Sequence, residues 1–509
     1  MARKKTKGIC YLVGAGPGDT GLLTLRGREV LTRAEVVVYD HLVNRELLGF
    51  APAEAELIYA GKKSGDHTMA QEEINDLLVK HTAAGRRVVR LKGGDPFVFA
   101  RGAEECQALA KAGLTFEVVP GVSSAIAGPA CAGIPVTRRS VNSVLTIFTG
   151  HHDPDDSAAG AVYAGLGAAP GTKVMLMGVE NLAGVAAKMI AGGASPSTPA
   201  AAIRWATRGD QKTVRGTLAD IAERIKSARL TAPAVIVFGE VAAAGEALDW
   251  VSARPLFGRR IVITRSRAQA SKLSAALRDL GADVYELPLI RREPTENLRE
   301  FAELVQDAHG YEWIVFTSAN GVDSFFEIFH KLYDDAREIG GAKFAAVGAA
   351  TAQRIKDYHY HVDLVAENFH AESLVETFRK HTDVENVKIL VVRPQEASGV
   401  LAAGLGKMGA IVDEAMAYRT VPETADRTRA RERLAAEGAD LAVFTSSSTV
   451  RNFFAQKIAY PPDLKFASIG PVTTKTLDEH GIKPAVEAER HDVDGLVAAI
   501  RDYFAGKTD

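Results

Sequence analysis

The feature that most constrains the fold is an internal repeat in the second half of the chain. RRIVITRSRAQASKLSAALRDLGADVYE (259–286) aligns without gaps on VKILVVRPQEASGVLAAGLGKMGAIVDE (387–414), an offset of 128 residues. The same offset places VFTSANGVDSFF (315–326) on VFTSSSTVRNFF (443–454), and FAAVGAATAQRI on FASIGPVTTKTL follows at an offset of 122. Each copy alternates strand-like and helical segments. The repeat therefore predicts two similar α/β lobes with parallel sheets, helices on both faces and a cleft between them.

Length and composition bound the rest of the interpretation. A chain of 509 residues is too long for one ordinary core and predicts several lobes. The net charge of −2 lacks the basic excess that nucleic-acid binding requires. Cys10, Cys106 and Cys131 form no CxxC or Cys/His cluster, so the sequence predicts neither a disulfide framework nor a metal site. A reducing cytoplasm is the expected location.

No segment is typical of a membrane span or a signal peptide. The longest uncharged run, 118–137, is interrupted by Pro120, Pro129 and Pro135, which predicts loops and short helices. The basic tail 1–7 is not followed by the apolar core of a signal peptide. We therefore expect no membrane partner.

One clear boundary is predicted near Ala253. The stretch LDWVSARPL (248–256) separates the strand-like run TAPAVIVFGEV from a new strand start, RRIVITR. The predicted domains are residues 1–252 and 253–509.

The first strand of the N-terminal half leads into a glycine turn, GAGPGD. A strand followed by Gly14 and Gly16, with Asp40 at the end of the next strand, is typical of dinucleotide binding. However, Asp19 occupies the position of the third glycine of that fingerprint, and Pro17 stiffens the turn. These two residues argue against a nicotinamide cofactor.

A second glycine turn lies in RLKGGDPFVFARGAEE, residues 90–105. Gly93 and Gly94 can adopt positive φ and let the backbone approach a ligand, and Pro96 fixes the exit of the turn. The turn is either a tight β-to-α connection or a platform for a small molecule.

Together the N-terminal motifs resemble the uroporphyrinogen-III C-methyltransferases of the tetrapyrrole methylase family. They are GAGPGD, YDHL, GKKSGDH with Gln71, RLKGGDPFVFARG, PGVSSA, GIPVTRR, MGV and APAVIVFGEV, and they cover nearly all of residues 8–245. Two sites depart from the family: Ala100 and Ala103 replace glycines, and Arg138 replaces a histidine.

The resemblance implies a two-lobed α/β fold that binds S-adenosylmethionine between its lobes and forms a homodimer through this half. A snug, water-poor pocket suits a methyl donor because orientation supplies much of the acceleration. By resemblance, Asp40 is the proton acceptor and Lys62 the proton donor. Their structural alternatives are a turn residue and a solvated loop cation, and Asp95 is either a polar anchor or a helix N-cap. The implied donor-binding residues are Pro17, Gly93, Gly94, Asp95, Ser123, Ser124, Met177, Ala206 and Ala234.

The C-terminal half resembles uroporphyrinogen-III synthase over residues 257–503. The matching motifs are ITR, VFTSANGV, AAVGAATA, LVVRP, AYRT, FTSSSTV and SIGPVTT. The family's lobes are discontinuous and joined by a two-stranded connection. By resemblance, residues 257–288 with 419–509 form one lobe and residues 289–418 the other.

The implied reaction removes the hydroxyl of hydroxymethylbilane and closes the ring with inversion of the last pyrrole. Tyr418 is the candidate acid, and packing at the hinge is its structural alternative. In the two VFTS turns, helix capping is the alternative to substrate binding. The implied substrate-binding residues are Thr264, Arg265, Ser318, Asn320, Thr351, Ser446, Ser447 and Thr473.

Fusion of two such halves is chemically consistent, because the product of the second is the substrate of the first. The sequence thus predicts a bifunctional enzyme that leads to precorrin-2, and onward to sirohaem or cobalamin. The alternatives are a methylase of RNA or protein, and a non-catalytic two-lobed ligand-binding module. Each half is expected to fold and work alone.

Overall fold

The computed structural model of the chain describes residues 8–61, 69–265, 267–367 and 370–507. The chain divides into two compact units. One consists of Met1–Leu287 with Ala425–Asp509, and the other is Pro288–Thr424. Below, residues 8–252 are called the N-terminal half, residues 257–287 with 425–507 the discontinuous lobe, and residues 288–424 the inserted lobe.

The chain is an α/β protein. Its strands are β1 Ile9–Gly14, β2 Val36–Tyr39, β3 Glu56–Tyr59, β4 Arg87–Lys92, β5 Thr115–Val119, β6 Leu145–Thr149, β7 Thr172–Leu176, β8 Pro199–Arg204, β9 Lys212–Thr217, β10 Ala234–Phe238, β11 Arg260–Ile263, β12 Asp283–Glu286, β13 Ile290–Pro294, β14 Trp313–Phe316, β15 Lys343–Ala346, β16 Leu364–Val365, β17 Lys388–Pro394, β18 Ile411–Pro422, β19 Leu441–Phe444, β20 Lys465–Ser468 and β21 Val486–Glu487.

The α-helices are α1 Leu25–Leu31, α2 Gln71–Ala83, α3 Gly102–Lys111, α4 Ser124–Cys131, α5 Ser157–Ala168, α6 Leu182–Ala191, α7 Ile221–Ser227, α8 Arg267–Asp279, α9 Leu298–Gln306, α10 Ala319–Leu332, α11 Ala349–Asp357, α12 Ala371–His381, α13 Val400–Gly406, α14 Ala430–Glu437, α15 Ser447–Ala455, α16 Pro471–Glu479 and α17 Val493–Phe504. Short 3₁₀ helices cover Thr20–Leu22, Arg45–Phe50, Glu240–Leu248, Ala308–Gly310 and Ala336–Ile339. Among the described residues, no helix has the length and apolar character needed to cross a membrane.

The N-terminal half contains two sheets. The first is parallel, in the order β3-β2-β4-β1-β5, and buried apolar clusters lie on both of its faces. Strand β2 is the run VVVY and is buried throughout, as expected for a strand covered on both sides. The second sheet is mixed, in the order β6-β7-β10-β8-β9. Helix α4 follows the first sheet and packs on the second, so it joins the two.

The two lobes of the C-terminal half are built on similar sheets. The discontinuous lobe is parallel, in the order β12-β11-β19-β20-β21. The inserted lobe has the order β13-β18-β17-β14-β15-β16, and it is parallel except for β13, which runs antiparallel to β18. The repeat thus corresponds to two related sheets, as the sequence predicts.

The chain leaves the inserted lobe a few residues later than predicted. The sequence placed this boundary after Tyr418, but β18 continues to Pro422 and pairs with β13 over its last five residues, Tyr418 to Pro422. Its counterpart in the repeat, β12, ends after four residues. The lobe therefore closes at Thr424, because the paired strand has to finish before the chain can leave it.

Candidate functional site

Two glycine turns of the N-terminal half meet at the carboxyl edge of its parallel sheet. The Gly94 amide donates to the Gly16 carbonyl at 2.8 Å, and the Gly16 amide donates to the Gly94 carbonyl at 3.2 Å. Both residues have positive φ, 76° for Gly16 and 69° for Gly94, which glycine adopts without strain. The turns after β1 and β4 are thus joined backbone to backbone, at the edge where such sheets bind ligands.

One side of this arrangement is tightly packed and the other is open. A Cβ on Gly14 would lie 2.5 Å from the Gly121 Cα, and one on Gly121 would lie 2.3 Å from the Gly94 carbonyl oxygen. For a Cβ on Gly94, by contrast, the nearest described atoms are Ser123 Cα and Ser124 N, each 3.9 Å away. The space beside Gly94 is therefore bounded by the start of α4. We call Gly16, Gly94, Ser123 and Ser124 the glycine cradle.

Asp95 holds the turns of the cradle together. One carboxylate oxygen accepts from the Phe97 amide at 2.8 Å, and the other accepts from the Gly121 amide at 3.0 Å. The N-cap alternative is wrong, because α3 begins only at Gly102. Asp95 instead connects the loops after β4 and β5.

The remaining donor-binding candidates lie on other loops and strands of the N-terminal half. The Asp19 amide donates to Thr207 Oγ at 2.9 Å, which brings the loop containing Ala206 to the loop that follows Pro17. Ala206 is buried and packs in one cluster with residues of α4. In the second sheet Ala234 pairs with the last residue of β8, and Met177 directly follows β7, the other neighbour of β10. Gly93 lies against Leu42, whose Cβ is 2.7 Å from where a Cβ on Gly93 would be.

The residues of the cradle are suited to bind S-adenosylmethionine. Backbone groups line the open side of Gly94, and the small, buried Ala206 packs against α4. A sulfonium donor needs such a close, weakly charged pocket.

Asp40 lies at the carboxyl end of β2. One of its carboxylate oxygens accepts from the Leu42 amide at 3.1 Å, so its role as a turn residue is present. The other oxygen is 3.6 Å from Arg90 Nη2, and the side chain is 25% exposed. Its carboxylate is therefore both fixed and accessible. Lys62, its predicted partner, lies outside the described residues.

A buried charge cluster behind Asp40 was not predicted. Glu105 Oε1 accepts from Lys92 Nζ at 2.8 Å and from Arg90 Nε at 3.1 Å, and Gln71 Nε2 is 3.3 Å from the same atom. Burial lowers the pKa of Lys92, and the nearby charge of Arg90 adds to this effect. Removing a charged group from water costs free energy, and the ion pairs of Glu105 with Arg90 and Lys92 offset part of that cost. The available signal was that the cations Arg90 and Lys92 stand at alternate positions among the apolar residues of β4, since alternate side chains share one face.

In the inserted lobe, Tyr418 contacts the first VFTS turn. Its hydroxyl lies 3.0 Å from Ser318 Oγ, and its side chain is buried. Ser318 also accepts from the Gly321 amide at 3.1 Å and is the N-cap of α10. The Asn320 carbonyl accepts from Arg292 Nη1 at 3.3 Å, and Thr351 is buried in α11. The capping prediction for Ser318 is confirmed.

In the discontinuous lobe, the hydroxyl groups of the predicted substrate-binding residues Thr264, Ser446 and Ser447 make hydrogen bonds to other residues of the same lobe. Thr264 Oγ donates to the Val443 carbonyl at 2.8 Å, and Ser446 is the N-cap of α15. Ser447 Oγ donates to the Val472 carbonyl at 3.1 Å, and Thr473 is buried in α16. Burial lowers the pKa of Arg265, which directly follows Thr264. Among these structural contacts, the sequence predicted only the helix capping by Ser446.

No group of three or more His, Cys, Asp or Glu residues could hold a metal ion within the part of the chain that the structure describes.

Two family models match the chain in tandem. Residues 10–222 match "Tetrapyrrole (Corrin/Porphyrin) Methylases", and residues 271–498 match "Uroporphyrinogen-III synthase HemD".

Individual relatives are similar to nearly all of the chain or to about half of it. The porphyrin biosynthesis protein HemD of Ruminiclostridium josui is 33% identical over 500 residues, covering 98% of this chain and 99% of that protein. An S-adenosyl-L-methionine-dependent uroporphyrinogen III methyltransferase of Methanosarcina barkeri is 49% identical over 234 residues, 46% of this chain and 92% of its own. A crystal structure of the Thermus thermophilus uroporphyrin-III C-methyltransferase with S-adenosyl homocysteine is 38% identical, covers 46% of this chain and 99% of its own, and has a TM-score of 0.40.

Proposed function

Since the chain belongs to two families of tetrapyrrole enzymes, the tetrapyrrole methylases in its N-terminal part and the uroporphyrinogen-III synthases in its C-terminal part, we propose that it carries out both reactions. The synthase, a lyase, cyclises hydroxymethylbilane to uroporphyrinogen III. The methyltransferase then adds two methyl groups from S-adenosylmethionine and forms precorrin-2, on the route to sirohaem or cobalamin. The match to one relative over 98% of the chain carries this proposal.

We assign the methyltransferase to residues 1–252 and the synthase to residues 253–509. Each range contains one complete set of family motifs, and the two family matches fall on opposite sides of residue 253. The synthase match over residues 271–498 disfavours a non-catalytic ligand-binding module in the C-terminal half.

In methylation, a pyrrole β-carbon is the nucleophile and the macrocycle later loses a proton. When bound, S-adenosylmethionine supplies an electrophilic methyl group. The glycine cradle orients the donor, because its backbone can approach closely and no side chain projects from Gly94. Asp40 accepts the proton, while Arg90 at 3.6 Å keeps its carboxylate in place. Lys62 is the proposed proton donor.

In cyclisation, the bilane loses its hydroxyl as water and forms a cation that its own pyrroles delocalise. Tyr418 donates the proton to the departing hydroxyl, and Ser318 Oγ orients the Tyr418 hydroxyl at 3.0 Å. Arg265 and the hydroxyl-bearing turns bind substrate carboxylates. The substrate-binding residues proposed in this way are Thr264, Arg265, Ser318, Asn320, Thr351, Ser446, Ser447 and Thr473.

We further propose that the protein works in the cytoplasm as a homodimer formed through the N-terminal half, without nucleic-acid or membrane partners. Its cysteines Cys10, Cys106 and Cys131 are free thiols, which suits a reducing compartment. Sedimentation of the purified chain tests the dimer, and a monomer would refute it.

The decisive experiment supplies the purified chain with hydroxymethylbilane, with and without S-adenosylmethionine. We expect uroporphyrinogen III without the donor and its dimethylated product with it, both identified by mass and isomer analysis. Methylation of uroporphyrinogen III supplied directly tests the N-terminal half separately. Only uroporphyrinogen I in the first arm would refute the synthase, and an unchanged mass in the last would refute the methyltransferase.

A further inference from the structure

The discontinuous lobe packs on the N-terminal half, directly beside the loops that form the glycine cradle. The Gly258 amide donates to the Gly209 carbonyl at 2.9 Å. A Cβ on Gly209 would lie only 2.2 Å from the Asp283 amide nitrogen, so the two backbones are in direct contact. Trp250 Nε1 of the connecting segment donates to the Ala130 carbonyl, in α4, at 3.2 Å. The N-terminal half, the proposed methylase, is therefore in contact with the discontinuous lobe of the proposed synthase.

A chain of polar contacts leads from this junction to the cradle. Arg278, in α8 of the discontinuous lobe, donates to the Glu46 carboxylate, and both side chains are largely buried. The Glu46 amide donates to Asn44 Oδ1 at 3.0 Å, which fixes the Asn44 side chain. Asn44 Nδ2 then donates to the Gly18 carbonyl at 2.7 Å. Gly18 is two residues from Gly16, whose backbone is hydrogen-bonded to that of Gly94.

The loop between β8 and β9, which neighbours the cradle turn at Gly18, is braced from the same side. Arg208 Nε lies 3.1 Å from Asp210 Oδ1, and Asp210 Oδ2 lies 3.4 Å from Arg260 Nη2 of the discontinuous lobe. The Arg208 Cγ is 2.9 Å from where a Cβ on Gly18 would be, so this loop packs against the turn after β1. The lobe thus supports both loops next to the proposed donor site.

We propose that the discontinuous lobe of the synthase supports the methyl-donor site of the methylase, with Arg278, Glu46 and Asn44 as positioning residues. These residues do not touch the donor. They fix the Gly18 carbonyl and thereby the turn that carries Gly16. The proposal rests on the proposed function, because it assumes that the glycine cradle binds S-adenosylmethionine. It contradicts the expectation that the two halves work independently.

The test uses the full chain and two matched arginine variants. Arg278→Met should raise the KM for the donor and the Kd for S-adenosylhomocysteine about tenfold, a typical size of coupling between sites, with little change in kcat. Arg278→Lys should recover part of the affinity. Arg427 also lies at the junction, but it donates to the Ala51 and Pro52 carbonyls, away from the cradle. Arg427→Met should leave both constants within about twofold.

Asn44→Ala separates positioning from docking, because it removes the link to Gly18 and leaves the Arg278 pair with Glu46 in place. It should weaken donor binding about as much as Arg278→Met, and the double variant should lose little more, since the two act in one chain. Wild-type affinity in both single variants would overturn the proposal. So would fully additive losses, or equal losses in the Arg278 and Arg427 variants. If the wild type itself fails to bind S-adenosylhomocysteine, the proposed function is wrong instead.

Discussion

The two halves of the chain both place candidate residues after the carboxyl ends of parallel strands, but they build their sites from different atoms. In the N-terminal half, the loops after β1 and β4 present backbone groups of Gly16 and Gly94. In the C-terminal half, the loops that follow β14 and β19 present hydroxyls of Ser318 and Ser446, which cap the next helices. A site made of backbone fails when an atom is added, whereas a site made of hydroxyls fails when an atom is removed.

The two copies of the VFTS turn make a second contrast within the C-terminal half. Ser318 contacts the Tyr418 hydroxyl at 3.0 Å, whereas Ser446 lies 2.9 Å from Ser448 Oγ in its own helix. The contacts of Ser446 thus lie within its own helix, while Ser318 has an additional partner in β18. The first copy of the turn therefore contacts Tyr418, the proposed acid.

The largest effect is expected for Gly94→Val. The new side chain would enter the open space beside Ser123 and Ser124, so the affinity for S-adenosylhomocysteine should fall beyond detection in calorimetric titration. Gly113→Val is the matched control, because Gly113 has a similar φ of 68° and no described atom within 4 Å of an added Cβ. Both variants carry the same backbone strain, but only the first should lose donor binding. Normal affinity in Gly94→Val would refute the cradle.

Asp40→Ala should reduce the rate of methyl transfer by about a hundredfold or more, the usual contribution of a general base. Donor binding should change little, because Asp40 is not part of the backbone cradle. Asp40→Asn keeps an acceptor for the Leu42 amide and should be equally slow, which separates proton transfer from the turn. Single-turnover rates with uroporphyrinogen III measure the effect. Full activity in the asparagine variant would leave Asp40 with only its structural role.

Tyr418→Phe should slow cyclisation about a hundredfold, because it deletes the hydroxyl and keeps the ring and its packing. The product should contain more uroporphyrinogen I from spontaneous closure, while methylation of supplied uroporphyrinogen III stays normal. Tyr311→Phe is the control in the same lobe, since its hydroxyl donates to Asp413 Oδ2 at 2.7 Å. Isomer analysis by chromatography measures the ratio, and a wild-type ratio in Tyr418→Phe would exclude the hydroxyl as the acid.

The smallest effects concern the two capping serines. Ser318→Ala and Ser446→Ala should each lower the free energy of unfolding by about 1 kcal/mol, because each removes one helix cap. Ser318→Ala should slow the cyclisation of bound substrate more than Ser446→Ala does, by about tenfold, since it also releases the Tyr418 hydroxyl. Denaturant melts and cyclisation rates of both variants give the comparison. Equal cyclisation rates would mean that the two turns do not differ in function.

Much of the fold could be predicted because the repeat and the glycine turns can each be recognised from continuous stretches of sequence. The repeat predicts the two related sheets, and the GGDP stretch predicts a glycine turn with positive φ, which Gly94 adopts at 69°. The length of β18 could not be predicted from the repeat. Its first residues match those of β12, and only pairing with β13 extends it.

The long-range charges were harder to interpret. Glu105 and Arg278 both look like helix surface residues in the sequence. Yet Glu105 is fully buried against Arg90 and Lys92, and Arg278 bonds to Glu46, more than two hundred positions away. Pairings over such distances leave no periodic pattern. For this reason the sequence predicted independent halves, while the structure shows contact between them.

The pairing of β11 with β19 also determines the order in which the protein can be completed on the ribosome. Ile261 is opposite Leu441, and the whole inserted lobe is synthesised between them. Strands emerge in chain order and domains generally fold as they emerge. The N-terminal half and the inserted lobe can therefore form first, while β11 and β12 wait with one edge unpaired until β19 arrives. The discontinuous lobe, and the support that we propose it gives to the cradle, can therefore become complete only after the inserted lobe has been synthesised.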